Sequence, residues 1–537
     1  MIPQESSVSA TVGGPALAAV VVLAAGQGTR MRSSTPKVLH SLGGRSLLGH
    51  VLAAAAPLGA GATVVVVGSG RDAVEAHLAQ IAPDALAVVQ HEQNGSGHAA
   101  AVALAAVPDL DGPVLLVNGD APLLRASTVT ALVDAHRSAG NVLTVLTAEV
   151  DDPTGLGRIV REDDGAVRAI VEERDATDAQ RAIREINAGV YVGDAAALRR
   201  SLASLGADND QGEQYVTDVL GLLVAEGAPV GGVRAEDADD VLGCNDQREL
   251  AARRRTLNDR VLDDLMRAGV TVVDPLTTWV DVTAAVASDA VLEPGTQLKG
   301  TTTVASGAIV GPDSTLVDCT VEAGASVVRS HCLGASIGPE ATVGPFSYLR
   351  PGTRLERGAK VGAFVETKNT EVGEGSKVPH LSYVGDATIG RGANIGAATV
   401  FVNYDGVAKH HTTVGDHVRI GSDTMLVAPS SWVPGCSTAS AATSAVTSTQ
   451  VVIGSTTTTP ARMSRSSTRS LSVRRRSASS RWSLQPRVSA ASSARCPPTG
   501  APSPTSSPST SVRYCSPWSF AAPTRVSAAR TAVASPT

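Results

Sequence analysis

Across the second half of the chain, aliphatic residues recur every six positions. The series runs Val286, Leu292, Leu298, Val304, Val310 and Leu316. It resumes at Ile337, Val343, Leu349, Leu355 and Val361, then at Val372, Val378 and Val384, at Ile395, and at Val414, Ile420 and Leu426. Gly, Ala or a small polar residue usually follows each one. An α-helix repeats at 3.6 residues and a simple strand at 2, so neither accounts for the spacing. A sustained hexapeptide period predicts a left-handed parallel β-helix, with each aliphatic residue pointing into a triangular prism and three hexapeptides closing one coil. Val402–Thr412 interrupts the period and reads as a loop thrown out of the solenoid, the kind of insertion that carries function.

The first half has a different texture. Apolar runs at Val20–Ala25, Thr63–Gly68, Ala87–Gln90, Val114–Val117 and Val142–Thr147 alternate with helix-like stretches at Leu47–Ala56, Ala73–Ile81 and Gly97–Ala106. Continuous apolar strands between amphipathic helices predict a Rossmann-like α/β domain, its parallel sheet covered on both faces. Gln247–Ala268 is charged and reads as a connecting helix. The chain thus divides into a leader (1–15), an α/β domain (16–246), a helical linker (247–280), a β-helix (281–429) and a tail (430–537).

Charge marks the last boundary. The 537 residues carry a net charge of −6, but residues 430–537 contain twelve Arg and no Lys, Asp or Glu. The first 429 residues, with 33 basic and 51 acidic side chains, stand at −18. That sign argues against a nucleic-acid partner. No apolar stretch reaches 18 residues, so no membrane helix is expected. The six Cys are scattered without a C-x-x-C pair, which fits a reducing cytoplasm better than a disulfide or zinc framework. The tail reads as disordered or out of frame. With GC-rich codons for Pro429–Ala439, a one-base shift yields Val-Val-Val-Gly-Ala-Gly-Val-Phe-His-Gly, which takes up the hexapeptide pattern again.

Two groups of residues carry chemistry. Leu23-Ala24-Ala25-Gly26-Gln27-Gly28-Thr29-Arg30-Met31 follows the first strand, with Pro36-Lys37 just beyond. Its glycines allow a tight turn whose backbone N–H groups can approach a triphosphate, while Arg30 and Lys37 offset phosphate charge. Asn118-Gly119-Asp120 ends an apolar strand, where a carboxylate can hold Mg²⁺ beside phosphates. In the second half stand Arg350, Lys368, His380, Tyr383, Asn394, Ala397 and the loop residues Asn403 and Tyr404. Arg350 and Lys368 are 18 apart, one coil, which stacks them where both can grip one phosphate. His380 can act as general base on an amine.

The first string resembles the signature of sugar-1-phosphate nucleotidyltransferases. With the second group in the same chain, residues 16–429 are similar to the bifunctional N-acetylglucosamine-1-phosphate uridyltransferase/glucosamine-1-phosphate acetyltransferase family. The resemblance implies a UTP site at Leu23, Ala24, Ala25, Gly26, Lys37, Gln90, Gly95, Ser96, Asn118, Gly119 and Asp120. It implies sugar contacts at Gly157, Glu172 and Asn187, and Mg²⁺ between Asp120 and Asn245. Arg30 and Lys37 would stabilise the leaving group. In the second half it implies His380 as base, glucosamine 1-phosphate held by Arg350, Lys368, Tyr383 and Asn394, and acetyl-CoA met by Ala397, Asn403, Tyr404 and Ser422. UTP, N-acetylglucosamine 1-phosphate, glucosamine 1-phosphate and acetyl-CoA are the implied substrates, and a homotrimer the implied assembly, with no nucleic-acid or membrane partner.

This chain departs from the family at Ala398, commonly Gly, and after Pro429, where the family's later acetyl-CoA contacts have no counterpart. The acetyltransferase step is therefore expected to be impaired. Two other readings stay open: a uridyltransferase or other NDP-sugar pyrophosphorylase with the β-helix as trimerisation platform, and a non-enzymatic sugar-nucleotide sensor.

Overall fold

In the computed structural model, residues 17–438 and 443–445 are described. The expected leader at 1–15 and nearly all of the expected tail lie outside them. Strands β1 (Ala19–Leu23), β2 (Ser41–Leu42), β3 (Arg45–Ser46), β4 (Ala62–Val67), β5 (Leu86–Val89), β6 (Pro113–Asn118), β7 (Leu143–Glu149), β8 (Arg158–Arg161), β9 (Val167–Val171), β10 (Glu185–Asp194) and β11 (Val230–Arg234) form the first part. They alternate with helices α1 (Leu47–Ala55), α2 (Arg71–Ile81), α3 (Ser96–Ala105), α4 (Ala126–Ala139), α5 (Asp178–Arg181), α6 (Ala195–Ala203) and α7 (Asp218–Ala225).

The main sheet has the order β11-β7-β10-β6-β1-β4-β5. Strand β1 sends Val20 and Val22 into one buried layer and Ala19 and Val21 into the other. That two-sided burial is why the strand reads as an unbroken apolar run. The sheet is not wholly parallel, which corrects the sequence expectation. Strand β10 runs antiparallel to both β6 and β7. It follows the β8–β9 hairpin and the single-turn helix α5, a connection that turns the chain back along the sheet.

Helix α8 (Gln247–Arg267) opens on an Asp246 cap whose carboxylate accepts from the Arg248 and Glu249 backbone, both at 2.8 Å. It leads into a left-handed parallel β-helix of short parallel strands. The register pairs Val286 with Val304 and Leu298 with Leu316, one residue above another every 18. The gap in the hexapeptide series between Leu316 and Ile337 is filled by Val321, Val327 and Cys332, all buried. There the coils are shorter, Leu316 pairing with Cys332 sixteen residues on. Corner residues drop out while the inward ladder continues. Buried Thr and Ser hydroxyls close the corners on backbone carbonyls, as Thr296 does on Glu293 at 2.7 Å.

The ladder does not stop at Pro429. Ser430–Trp432 pairs in parallel with Thr412–Val414, and Thr443–Ala445 pairs with Met425–Val427. The aliphatic spacing alone ends at Leu426, so the expected boundary at 429 falls short of these strands. In register, Trp432 occupies the place above Val414, half-buried, with its indole nitrogen unpartnered. Among the described residues no helix is long and apolar enough to cross a membrane.

Candidate active sites

The Gly-rich loop leaves β1 at Leu23 and turns at Gly28, where φ is 58°. A Cβ at Gly28 would sit 2.5 Å from that of Lys37, so the loop closes over this lysine only with glycine there. A cavity of about 540 Å³ opens at the strand ends, with Leu23, Gly26, Lys37, Gln90, Asn118 and Asn245 in its wall. Ala25, Arg30, Gly95 and Ser96 line it too. Gln90 donates to the Gly95 carbonyl at 3.1 Å, and Ser96 Oγ accepts from the Val216 backbone at 3.1 Å, which shapes the far wall. Ala24 is buried behind the loop, and Gly119 N bonds the Leu23 carbonyl at 2.9 Å, joining the two strand ends.

Charge converges at the mouth. Lys37 Nζ contacts Asp120 Oδ2 closely and donates to Asn245 Oδ1 at 2.8 Å. Arg30 donates to the same Asn245 oxygen at 2.9 Å. Asn245 itself is fixed by its backbone N–H, which donates to Glu249 Oε2 at 2.7 Å. A carboxylate and an amide oxygen thus meet around one positive centre. Two hard oxygens suit Mg²⁺, which takes few protein ligands and completes its shell with phosphate and water. Among the described residues no group of three or more His, Cys, Asp or Glu could hold a metal alone.

The three expected sugar contacts also come together. Asn187 N donates to the Gly157 carbonyl at 2.9 Å, and a Cβ on Gly157 would stand 3.3 Å from the Glu172 carboxylate. Burial raises the Glu172 carboxyl above its usual range. Asn187 Nδ2 donates to Tyr191 Oη at 2.7 Å. A Cβ at Gly189 would collide with the Asn118 amide, so this cluster abuts the cavity wall.

In the β-helix, Leu349 pairs with Thr367, which brings Arg350 and Lys368 into successive coils as expected. Arg350 pairs with Glu366 at 2.9 Å, and Lys368 lies 3.9 Å from Asp386. Tyr383 stacks over Glu366, and Asn403 donates to its hydroxyl at 3.4 Å. His380 and Asn394 stand apart from that set. They belong to the neighbouring face of the prism, where Lys377–His380 pairs with Asn394–Ile395. The His380 side chain is exposed. Ala397 and Ser422 lie in successive coils at the same corner, where the Ala397 carbonyl accepts from Asp423 N at 2.7 Å. Tyr404 is exposed on the loop, bridged to Lys409.

Lys409 is the residue the sequence reading missed. The loop returns it beside Lys368, whose ammonium pKa falls chiefly through that contact and then through burial. Two lysines and Arg350 thus gather on one face, beside the carboxylates of Glu366 and Asp386. A signal existed: only six of the 45 basic residues are Lys, so each one marks a position where an ammonium stands in a chain that otherwise uses guanidinium.

A model of the MobA-like NTP transferase domain matches residues 20–217. Relatives named bifunctional protein GlmU match most of the chain. That of Streptomyces coelicolor is 56% identical over 414 residues, 77% of this chain and 86% of its own length. That of Corynebacterium glutamicum strain R is 53% identical over 415 residues, 76% and 86% of the two chains. That of Clavibacter sepedonicus is 53% identical over 412 residues, 76% and 84%.

Proposed function

Because the chain belongs to the bifunctional GlmU family, we propose that it makes UDP-N-acetylglucosamine in two steps. Acetyl-CoA first acetylates the 2-amino group of glucosamine 1-phosphate. The product then takes a uridylyl group from UTP and releases pyrophosphate. Residues 16–246 carry the uridylyl step, 247–280 link, and 281–429 carry the acetyl step, in a cytoplasmic homotrimer. The observation that carries this reading is the convergence of Arg30, Lys37, Asp120 and Asn245 at the mouth of the 540 Å³ cavity.

In the uridylyl step an oxygen of the sugar phosphate attacks the α-phosphorus of UTP, and the bond to the β-phosphate breaks. The attacking oxygen is already anionic, so no protein nucleophile is needed. Catalysis is alignment and electrostatics. Asp120 and Asn245 would hold Mg²⁺, which when bound screens the phosphates and steadies the departing charge. Arg30 and Lys37 bind phosphate oxygens and stabilise the leaving pyrophosphate. Gln90, Gly95 and Ser96 recognise the base; Gly157, Glu172 and Asn187 hold the sugar.

In the acetyl step His380 takes a proton from the 2-ammonium group so that the amine can attack the thioester carbonyl. Arg350, Lys368, Tyr383, Asn394 and Lys409 hold the sugar phosphate; Ala397, Asn403, Tyr404 and Ser422 meet acetyl-CoA. This step is impaired here, because residues 430–537 are read out of frame. Trp432, in a slot that holds Val, Leu or Ile in the coils below, supports that view. The test is a paired assay. Pyrophosphate release from UTP, N-acetylglucosamine 1-phosphate and Mg²⁺ should be robust, and thiol release from acetyl-CoA with glucosamine 1-phosphate weak. No pyrophosphate at saturating substrate sinks the reading. Full thiol release, or a gene sequence without a one-base slip near the Pro429 codon, sinks the impairment.

A further inference from the structure

Arg260 lies on α8, fifteen residues beyond Asn245, and it touches the supports of both oxygen donors. Its Nη1 donates to the Leu123 carbonyl at 2.9 Å, three residues beyond Asp120. Its Nη2 reaches Asp237 at 2.7 Å and Asp240 at 2.9 Å. Asp240 precedes Asn245 by five residues and is fully buried. Arg125 Nε pairs with it at 2.9 Å, and the Thr128 hydroxyl donates to it as well. Between these anchors the two segments meet directly, Cys244 N donating to the Asp120 carbonyl at 3.0 Å.

A buried carboxylate clamped by two guanidiniums is weak evidence for stability, since desolvation offsets much of the attraction. Its better-attested use is to fix one arrangement among several. The arrangement here is the separation of the two loops that end in Asp120 and Asn245. We propose that Arg260 is a positioning residue for uridylyl transfer: through Leu123, Asp237 and Asp240 it holds the two loops so that Asp120 and Asn245 share one cation. This rests on reading those two residues as the Mg²⁺ pair. The planar fork of an arginine makes the bridge; a lysine keeps the charge beside Asp240 but cannot span to Leu123 as well.

The same helix supplies its own control. Asn258, two residues before Arg260, donates to the Thr278 carbonyl and accepts from Val280 N, both at 2.9 Å. It fastens α8 to the first coil without touching either loop.

The test compares the full wild-type chain with Arg260→Lys, Asp240→Asn and Asn258→Ala. Mn²⁺ binding in the presence of UTP is read by water-proton relaxation, beside the Mg²⁺ half-saturation of pyrophosphate release and the melting temperature. Arg260→Lys should weaken Mn²⁺ binding and raise the Mg²⁺ half-saturation about tenfold, with turnover recovered at high Mg²⁺. Asp240→Asn should shift both readings the same way, and serves if the lysine variant does not fold. Asn258→Ala should lower the melting temperature and leave both metal readings at the wild-type value. Unchanged metal readings in both clamp variants overturn the proposal. So does an equal shift in Asn258→Ala, since any loosening of α8 would then suffice. A wild-type chain that neither binds Mn²⁺ nor releases pyrophosphate overturns the Asp120–Asn245 reading itself, and the proposal with it.

Discussion

Lys37 can approach Asp120 and Asn245 only because Gly28 has no side chain. A methyl group there would meet Lys37 Cβ at 2.5 Å and would sit on a backbone with φ of 58°. Gly28→Ala should therefore cut uridylyl transfer more than tenfold while the chain still folds, as pyrophosphate release and circular dichroism would record. Lys37→Ala should cost about 10²–10³ in kcat, the usual loss when one stabilising charge is removed from a transition state. At Ala398 the logic reverses. This corner residue has φ of 57°, a conformation that opposes any Cβ by roughly 1 kcal/mol. Ala398→Gly should raise stability by about that amount in urea unfolding; a loss would show that the corner is held by contacts of the methyl group. Much of the cavity wall was legible at this scale, since Gly26 and Lys37 sit in an unusual string of residue types and Asn118 ends an apolar strand. Lys409 was not, because its meaning comes from a loop that folds back on Lys368.

Elements differ in how openly they announce themselves. Strands β1, β4 and β6 are buried on both faces, so their runs of valine and leucine leave little choice. Strand β10 carries polar Asn187 and two glycines and so reads as a binding segment; only its pairing makes it a strand. In the solenoid, inward positions stay legible wherever coils keep 18 residues. They fade between Leu316 and Ile337, where coils shorten to sixteen and Cys332 takes an aliphatic place. Each inward residue is packed on all sides, with no room to collapse. Leu349, wholly buried, should cost about 3 kcal/mol when replaced by Ala, measured by chemical denaturation. A value under 1 kcal/mol would mean that the prism can close around the gap.

For the molecule as a whole, acid should act first on the α/β half. His50, with its ring bonded to the Leu42 carbonyl at 2.7 Å, and His136, bonded to Thr144 at 3.0 Å, are both buried. Burial, before any other cause, lowers both pKa values from 6.5. The unfolded chain thus binds protons that the folded chain refuses, so stability falls as pH drops through 6.5 and below. Melting followed between pH 7.5 and 5 should show the loss, and His50→Gln should lessen it, with the His136 share remaining. If the curve is flat in the wild type, these rings are not what limits the fold. The β-helix has another consequence. Beyond the first coil, which α8 also holds, each coil leans mainly on the coil above and the coil below. Drawn from its last coil in a force experiment, it should peel like thread from a spool. Each step would release roughly 60 Å of chain, the extended length of some 18 residues, and the cavity of the α/β half would be the last part of the molecule to feel the pull.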